Sequence, residues 1–336
     1  MTTTSATATP AAPRGTPAAA PSARRGARAA ALVQRHGTLI ALLAVCAFGA
    51  IRYPEFATPE NLLNVLRQNS MLGLVALGMT FVILTGGIDL SVGSLLAVGG
   101  VVAARLSPYG TLAAVAGGVG AAAALGLVNG AVVAKARIQP FIVTLAMMIA
   151  ARGAALGATG EQSVRVDAGA TGFAALGRGY TPIVLLVVAY ATGWAALRYT
   201  RFGRYVFAVG DNEEAAKLMG LKVDRVTLGT YALSGALAGL AGIILAARLG
   251  AGQPVAGTGW ELDAIAAVVV GGTLLTGGQG GAGSTLLGAL LLGVTFNLFN
   301  LEGSITPWWQ WVLRGGFLLG VVVVQNRLQG KVRRDG

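Results

Sequence analysis

Side chains able to do covalent chemistry are scarce in this sequence and scattered along it. The one histidine, His36, and the one cysteine, Cys46, sit in an apolar run without further donors beside them. A metal site needs several ligands at set spacing and a disulfide needs a second thiol, so both read as packing residues. Gly278-Gln-Gly-Gly-Ala-Gly-Ser-Thr285 has the glycine spacing of a phosphate-binding loop but lacks the lysine that reaches the terminal phosphates. No catalytic residue, metal site, nucleotide site or other cofactor is therefore expected in this chain. What remains are polar groups in apolar surroundings. Asp89 interrupts an apolar stretch, with Ser91 close behind it. A buried acid is costly unless it is capped, paired or hydrated. Its plain role is to cap a helix starting near Leu90, with Ser91 sharing the work; the sharper one has this broken segment line or move with a transport path. Asn129, Asn297 and Asn300 put amides into apolar stretches, to bond neighbouring helices or to meet the hydroxyls of a solute. Glu261 and Asp263 open another such stretch, as caps or as contacts for an outside partner.

The most informative polar segment runs from Arg201-Phe-Gly-Arg204 through Asp211-Asn-Glu-Glu-Ala-Ala-Lys-Leu-Met-Gly220 to Leu221-Lys-Val-Asp-Arg225. Asp211 or Asn212 can cap a short helix, and Glu213 and Glu214 suit its positive N-terminus. Gly220 can take the left-handed terminating conformation, with Leu221 as its apolar contact. Ala215, Ala216, Leu218 and Met219 form a small apolar face flanked by basic residues. An exposed face of that kind points to a protein partner.

The elements that must position these residues are membrane helices. The 336 residues are 54% hydrophobic and 11% charged, against the roughly 25% charged residues of a soluble domain. The 51 glycines have no collagen period and suit helices that approach closely, as do Gly126/Gly130 and Gly235/Gly239 at four-residue spacing. The net charge of +12 is spread between apolar stretches and not gathered with aromatics on one face, which excludes nucleic acid as a partner. Charge-free windows of spanning length cover 68–88, 106–134, 179–197, 226–247 and 264–301, the last holding two spans broken at 276–283. Shorter runs at 36–51, 90–104, 138–156 and 308–326 complete a set of ten, or of eight if the short runs re-enter. Lys135/Arg137 and the stretch 198–225 carry a basic excess, while 158–180 is balanced. Positive-inside bias therefore expects both termini in the cytoplasm, and Trp308, Trp309 and Trp311 at an outer interface. The glycine-rich breaks at 86–93 and 277–283 suggest an inverted repeat of two five-helix halves. Residues 1–35, rich in Ala, Thr, Pro and Arg, are expected to be a disordered basic tail.

Those residues carry a resemblance. The segment 199–225 resembles the coupling loop of permease subunits from ATP-binding-cassette importers. Gly78-Met-Thr-Phe-Val-Ile-Leu-Thr-Gly-Gly-Ile-Asp-Leu-Ser-Val-Gly-Ser94, Asn129-Gly130 through Pro140-Phe-Ile-Val-Thr-Leu145 to Arg152-Gly153, Glu261 through Gly272, and Asn297 with Gln310 through Arg314-Gly315 are similar to the ribose/xylose/arabinose/galactoside branch of those permeases. The resemblance covers about residues 60–325. It implies an all-α membrane protein of the bacterial inner membrane, and the apolar runs and loop charges set a permease domain at 36–326 and a short cytoplasmic tail at 327–336. It also implies a cytoplasmic ATP-binding subunit holding ATP and Mg, an extracytoplasmic sugar-binding protein, and a second permease copy. On this reading Asp211, Asn212, Glu214, Ala215, Ala216, Leu218, Met219 and Gly220 couple to the ATPase. Asp89, Ser91, Asn129 and Asn297 belong to the path of a monosaccharide through the lipid bilayer, and Glu261 and Asp263 meet the binding protein. The alternatives are a branched-chain amino-acid permease of the same architecture and an ion-coupled secondary transporter. The second usually needs several buried ionisable relays, where this chain offers Asp89.

Overall fold

The structure is a computed structural model. It describes residues 21–304 and, beyond them, 306, 308–310, 312–313, 315–316 and 319–320, with side chains described from His36 on. Helices dominate: α1 (Pro21–Arg52), α2 (Pro59–Leu84), α3 (Val92–Leu106), α4 (Thr111–Ala136), α5 (Pro140–Thr159), the short α6 (Thr171–Ala175), α7 (Thr181–Tyr199), α8 (Arg201–Asp211), α9 (Glu213–Leu218), α10 (Val223–Leu249), α11 (Trp260–Val270) and α12 (Ala282–Glu302). Two-residue strands β1 (Val164–Arg165) and β2 (Ala251–Gly252) pair antiparallel. Seven of the described helices are long and apolar enough to cross a membrane, and the chain is an all-α membrane protein. One boundary differs from expectation. α1 begins at Pro21, so residues 21–35, expected to be unstructured, are helical. Their alanines and arginines are good helix formers, and Pro21 has the preset φ of a first helical residue. Residues 1–20, most of the 308–326 span, Trp311, Arg314 and the 327–336 tail lie outside the described residues.

At the centre stands α2, in which every residue from Asn69 to Leu84 is buried. A helix apolar all round is stable only when enclosed, and α10, α12, α11 and α7 enclose this one. By contrast, α4, α5 and α7 bury one face each and leave large apolar side chains such as Leu127, Ile149 and Val187 exposed, as helices facing lipid do. Small residues set the spacing within. A Cβ at Gly130 of α4 would stand 2.9 Å from the Leu228 Cα of α10, and one at Gly99 of α3 would stand 2.6 Å from the Gly239 Cα of α10. Backbones in direct contact are how membrane helices gain dispersion energy when lipid gives no hydrophobic drive.

α11 has 11 residues, too short to cross about 30 Å of hydrocarbon at about 1.5 Å per residue, and α3, with 15, reaches spanning length only with the 3-10 turn Ser107–Tyr109 that continues it. Irregular chain leads into each crossing. Residues 85–91 rise from the end of the bundle that carries α8 and α9. Residues 250–259 descend from the opposite end, where β1 and β2 lie. The two segments meet where Gly93 opposes Gly257, which has φ 71°. From there α3 and α11 run in opposite directions: α3 ends beside the 158–180 loop, where Ser107 Oγ accepts from Asp167 N at 2.8 Å, and α11 ends where Thr38 Oγ1 donates to Val270 O at 2.6 Å. The sequence carries the same relation. Gly87-Ile-Asp-Leu90 and Val98-Gly-Gly100 recur in order as Gly259-Trp-Glu-Leu262 and Val270-Gly-Gly272. The counterpart of the 86–93 break is therefore the 250–259 entry, not the glycine run at 277–283. That run is the turn between α11 and α12.

Candidate functional site

The expected coupling segment folds as two helices joined by an elbow. Thr200 caps α8, accepting from Gly203 N at 3.1 Å, and buried Gly203, Val206 and Val209 fasten one face of α8 to the bundle. Phe202 stacks on Phe81 of α2 with ring centroids 6.2 Å apart. Asp211 ends α8. Asn212, not Asp211, caps α9, its Oδ1 accepting from Ala215 N at 2.9 Å. Lys217 pairs with Glu213 one turn back, and Glu214 is exposed. At the far end Leu221 N bonds to Ala216 O at 3.1 Å and Gly220 N to Lys217 O at 2.9 Å, with Gly220 at φ 79°. This is the Schellman closure, which needs a residue free to enter the left-handed region. The apolar face expected here divides in two. Ala216 is fully buried and Ala215 partly so, whereas Leu218 is 90% and Met219 69% exposed. A six-residue helix shows its neighbours only one side, so consecutive apolar residues cannot all face one way. α8 was not visible in the sequence, although its buried positions three apart are a helical signal.

Asp89 lies in a polar knot with no solvent exposure. Its Oδ1 accepts from Ser91 N at 3.0 Å and from Ser91 Oγ at 2.6 Å, and its Oδ2 accepts from Ser234 Oγ of α10 at 2.9 Å. Asn129 of α4 donates to Ser91 Oγ at 2.9 Å, while its own Oδ1 is buried with no hydrogen-bond partner. The Ile88 carbonyl accepts from Thr144 of α5 at 3.2 Å and from Tyr231 of α10 at 3.3 Å. Ser91 is the N-cap residue of α3. Asp89 thus binds the cap residue instead of capping the helix itself, because the chain enters α3 two residues later than expected. Irregular backbone at this depth must have its polar groups met by neighbouring helices, and α4, α5 and α10 meet them.

Two other expected residues sit elsewhere. Asn297 of α12 forms a reciprocal amide pair with Asn61 of α2, at 2.8 and 3.1 Å, well away from Asp89. Glu261 and Asp263 both lie in the first turn of α11, whose N-cap residue is Gly259 with φ 84°. Glu261 is half-buried against Gly93: a Cβ there would stand 2.6 Å from its Oε2. It also lies within electrostatic reach of Arg152 on α5. Arg152 in turn donates to Pro254 O at 2.6 Å and Ala256 O at 2.7 Å, tying down the descending segment. Near α9, a cavity of about 350 Å³ separates Glu213 and Lys217 from Gly86 of the 85–91 break and Arg137 of the α4–α5 turn.

Comparison with known proteins bears on all of this. Residues 61–322 match the family described as branched-chain amino acid transport system / permease component. The chain belongs to this permease family. It is 45% identical to the ribose import permease protein RbsC of Escherichia coli (strain K12) over 301 residues, 87% of this chain and 94% of the relative. It is 42% identical to the protein of the same name from Bacillus subtilis (strain 168), covering 87% and 92%. It is 38% identical to the L-arabinose ABC transporter permease protein AraH of Azospirillum brasilense, covering 85% and 86%. No solved structure matches it.

In this permease the residues expected along the path do not form one cluster. Asp89, Ser91 and Asn129 are brought together, and Asn297 is not among them. Arg152 and Ser234 are the partners that sequence reasoning missed. Arg152 carried a signal, since a charge in an apolar span is a marked position. Ser234 carried none, because one hydroxyl in a helix of alanine and glycine has no pattern.

Proposed function

We propose that this permease is the membrane-spanning subunit of an ATP-driven importer that carries a monosaccharide of the ribose or xylose type across the bacterial inner membrane. The sugar class rests on the relatives, which are named for ribose and L-arabinose. The mechanism rests on α9. An end-capped, pinned helix that holds out Leu218 and Met219 is built to fit a protein surface, and a cytoplasmic ATP-binding subunit is the partner that importers of this type need. ATP and Mg belong to that subunit, since this chain has glycines but no lysine at 278–285. An extracytoplasmic sugar-binding protein would deliver solute at the opposite end. A second permease copy would complete the complex, with both termini of each copy in the cytoplasm. The cycle is alternating access: ATP binding draws the ATPase subunits together, α9 follows, and the helices around the two broken crossings rock.

Uptake of labelled ribose and xylose, measured with and without the ATPase subunit, tests the reading. Uptake should be lost without the subunit, and it should persist when the proton gradient is collapsed but ATP is maintained. Uptake that follows the gradient and ignores the ATPase would mean a secondary transporter.

A further inference from the structure

Three segments far apart in sequence meet beneath α9, and at Gly210 they meet through main-chain atoms. Gly278 N, in the α11–α12 turn, donates to Leu84 O at the end of α2 at 3.1 Å. Gly210, in the last turn of α8, fits between them. A Cβ on Gly210 would overlap Leu84 O and stand 2.6 Å from Gly278 N. A Cβ on Gly277 would stand 2.8 Å from Gly86 N and 3.0 Å from the Gly210 Cα. Gly86, Gly277 and Gly278 have φ of 79°, 87° and 74°, values that glycine adopts freely. Leu84 leads into the 85–91 break, and Gly278 follows α11, the helix of the second broken crossing.

We propose that Gly210 is the positioning residue that transmits movement of α9 to both broken crossings at once. α9 hangs from α8 by the Asp211–Asn212 elbow, which adjoins Gly210, so a displacement of α9 reaches Gly210 directly. The three atoms nearest a Gly210 Cβ are all main chain, Leu84 O and C and Gly278 N, so no flexible side-chain end stands there to absorb the displacement. The end of α2 and the α11–α12 turn are also bonded to each other, so the three segments move as one unit. This proposal rests on α9 as the docking element and adds what its movement drives.

The test uses the assembled complex with its ATPase subunit in proteoliposomes, reading sugar uptake per ATP hydrolysed. Gly210→Ala should still co-purify with the ATPase and still hydrolyse ATP, while uptake per ATP falls at least tenfold. Gly283→Ala, where a Cβ meets nothing within 4 Å, should match the wild type. A Gly210→Ala complex with wild-type uptake per ATP overturns the proposal. If that variant is not found in the membrane, a cross-link decides. The Asp211 Cβ is 3.4 Å from the Cβ position of Gly278, close to the usual disulfide separation of about 3.8 Å. Asp211→Cys with Gly278→Cys, in a Cys46→Ala background, should oxidise readily and keep uptake per ATP within twofold of the reduced state. Failure to cross-link, or an arrest that reduction reverses, shows that these segments part during transport and overturns the proposal. Loss of ATPase co-purification is read separately, so failure of the docking assignment is distinguishable from failure of this transmission.

Discussion

Asp89 shows why a single residue type cannot be read without its neighbours. An acid at the end of an apolar stretch is compatible with a cap, a relay or a solute contact. The knot around it makes it a pin: three donors converge on its two oxygens, and all three are set by α3 and α10. Asp89→Asn keeps an acceptor for the Ser91 N–H and hydroxyl, and the Ser234 hydroxyl can turn to accept from the new amide. Membrane abundance should therefore hold, with uptake within a few-fold of wild type. Asp89→Leu leaves the buried Ser91 N–H without an acceptor, at about 1–3 kcal/mol, and frees two hydroxyls besides. Little protein should reach the membrane. Quantitative blotting beside uptake measures both. Lost uptake in an abundant Asp89→Asn variant would show that the charge itself serves transport.

Elements decide which part of the coupling segment touches a partner. Since Ala216 is enclosed, Ala216→Glu forces a charge into the anchor of α9 and acts on folding, not on docking. Leu218 and Met219 are the side chains held out. Leu218→Asp with Met219→Asp should leave abundance unchanged and lower ATPase co-purification at least tenfold. Gly220→Val asks a β-branched residue to hold φ 79°, at about 1–2 kcal/mol. That loosens the helix end while sparing the outward face, so its loss of co-purification should be smaller. Equal retention of the ATPase by the double variant and the wild type would remove α9 as the docking element.

At the scale of the whole molecule, charge and architecture make one joint prediction. The α9 end carries Lys135, Arg137 and the basic stretch 198–225, and the opposite end carries the balanced 158–180 loop. Positive-inside bias predicts that the first lies in the cytoplasm. Ala136 and Ser163 are both exposed at these two ends. Single cysteines at each, in a Cys46→Ala background, give the readout. An impermeant thiol reagent added to intact cells should label position 163 and leave position 136 unlabelled. The reverse pattern would invert the molecule and place α9 outside, away from any ATPase.

The class of this protein was legible in the chain itself. Long apolar windows must be helices, because lipid offers a backbone no other partner. The capped α9 was legible too, since caps and the Gly220 stop are local chemistry within a few residues. Tertiary structure alone decided the rest. That Asp89 finds Ser234, that Arg152 holds Pro254 and Ala256, and that Gly210 reaches Leu84 and Gly278 are contacts between residues remote in the chain. A charge in an apolar stretch marks Asp89 and Arg152, but nothing local says which groups they and Gly210 will meet. Even the repeated Gly-x-acid-Leu motif, present in the sequence at 87–90 and 259–262, gained meaning only when the fold set its two copies against each other. Local sequence specifies torsions and burial; which buried groups then meet depends on how whole helices pack.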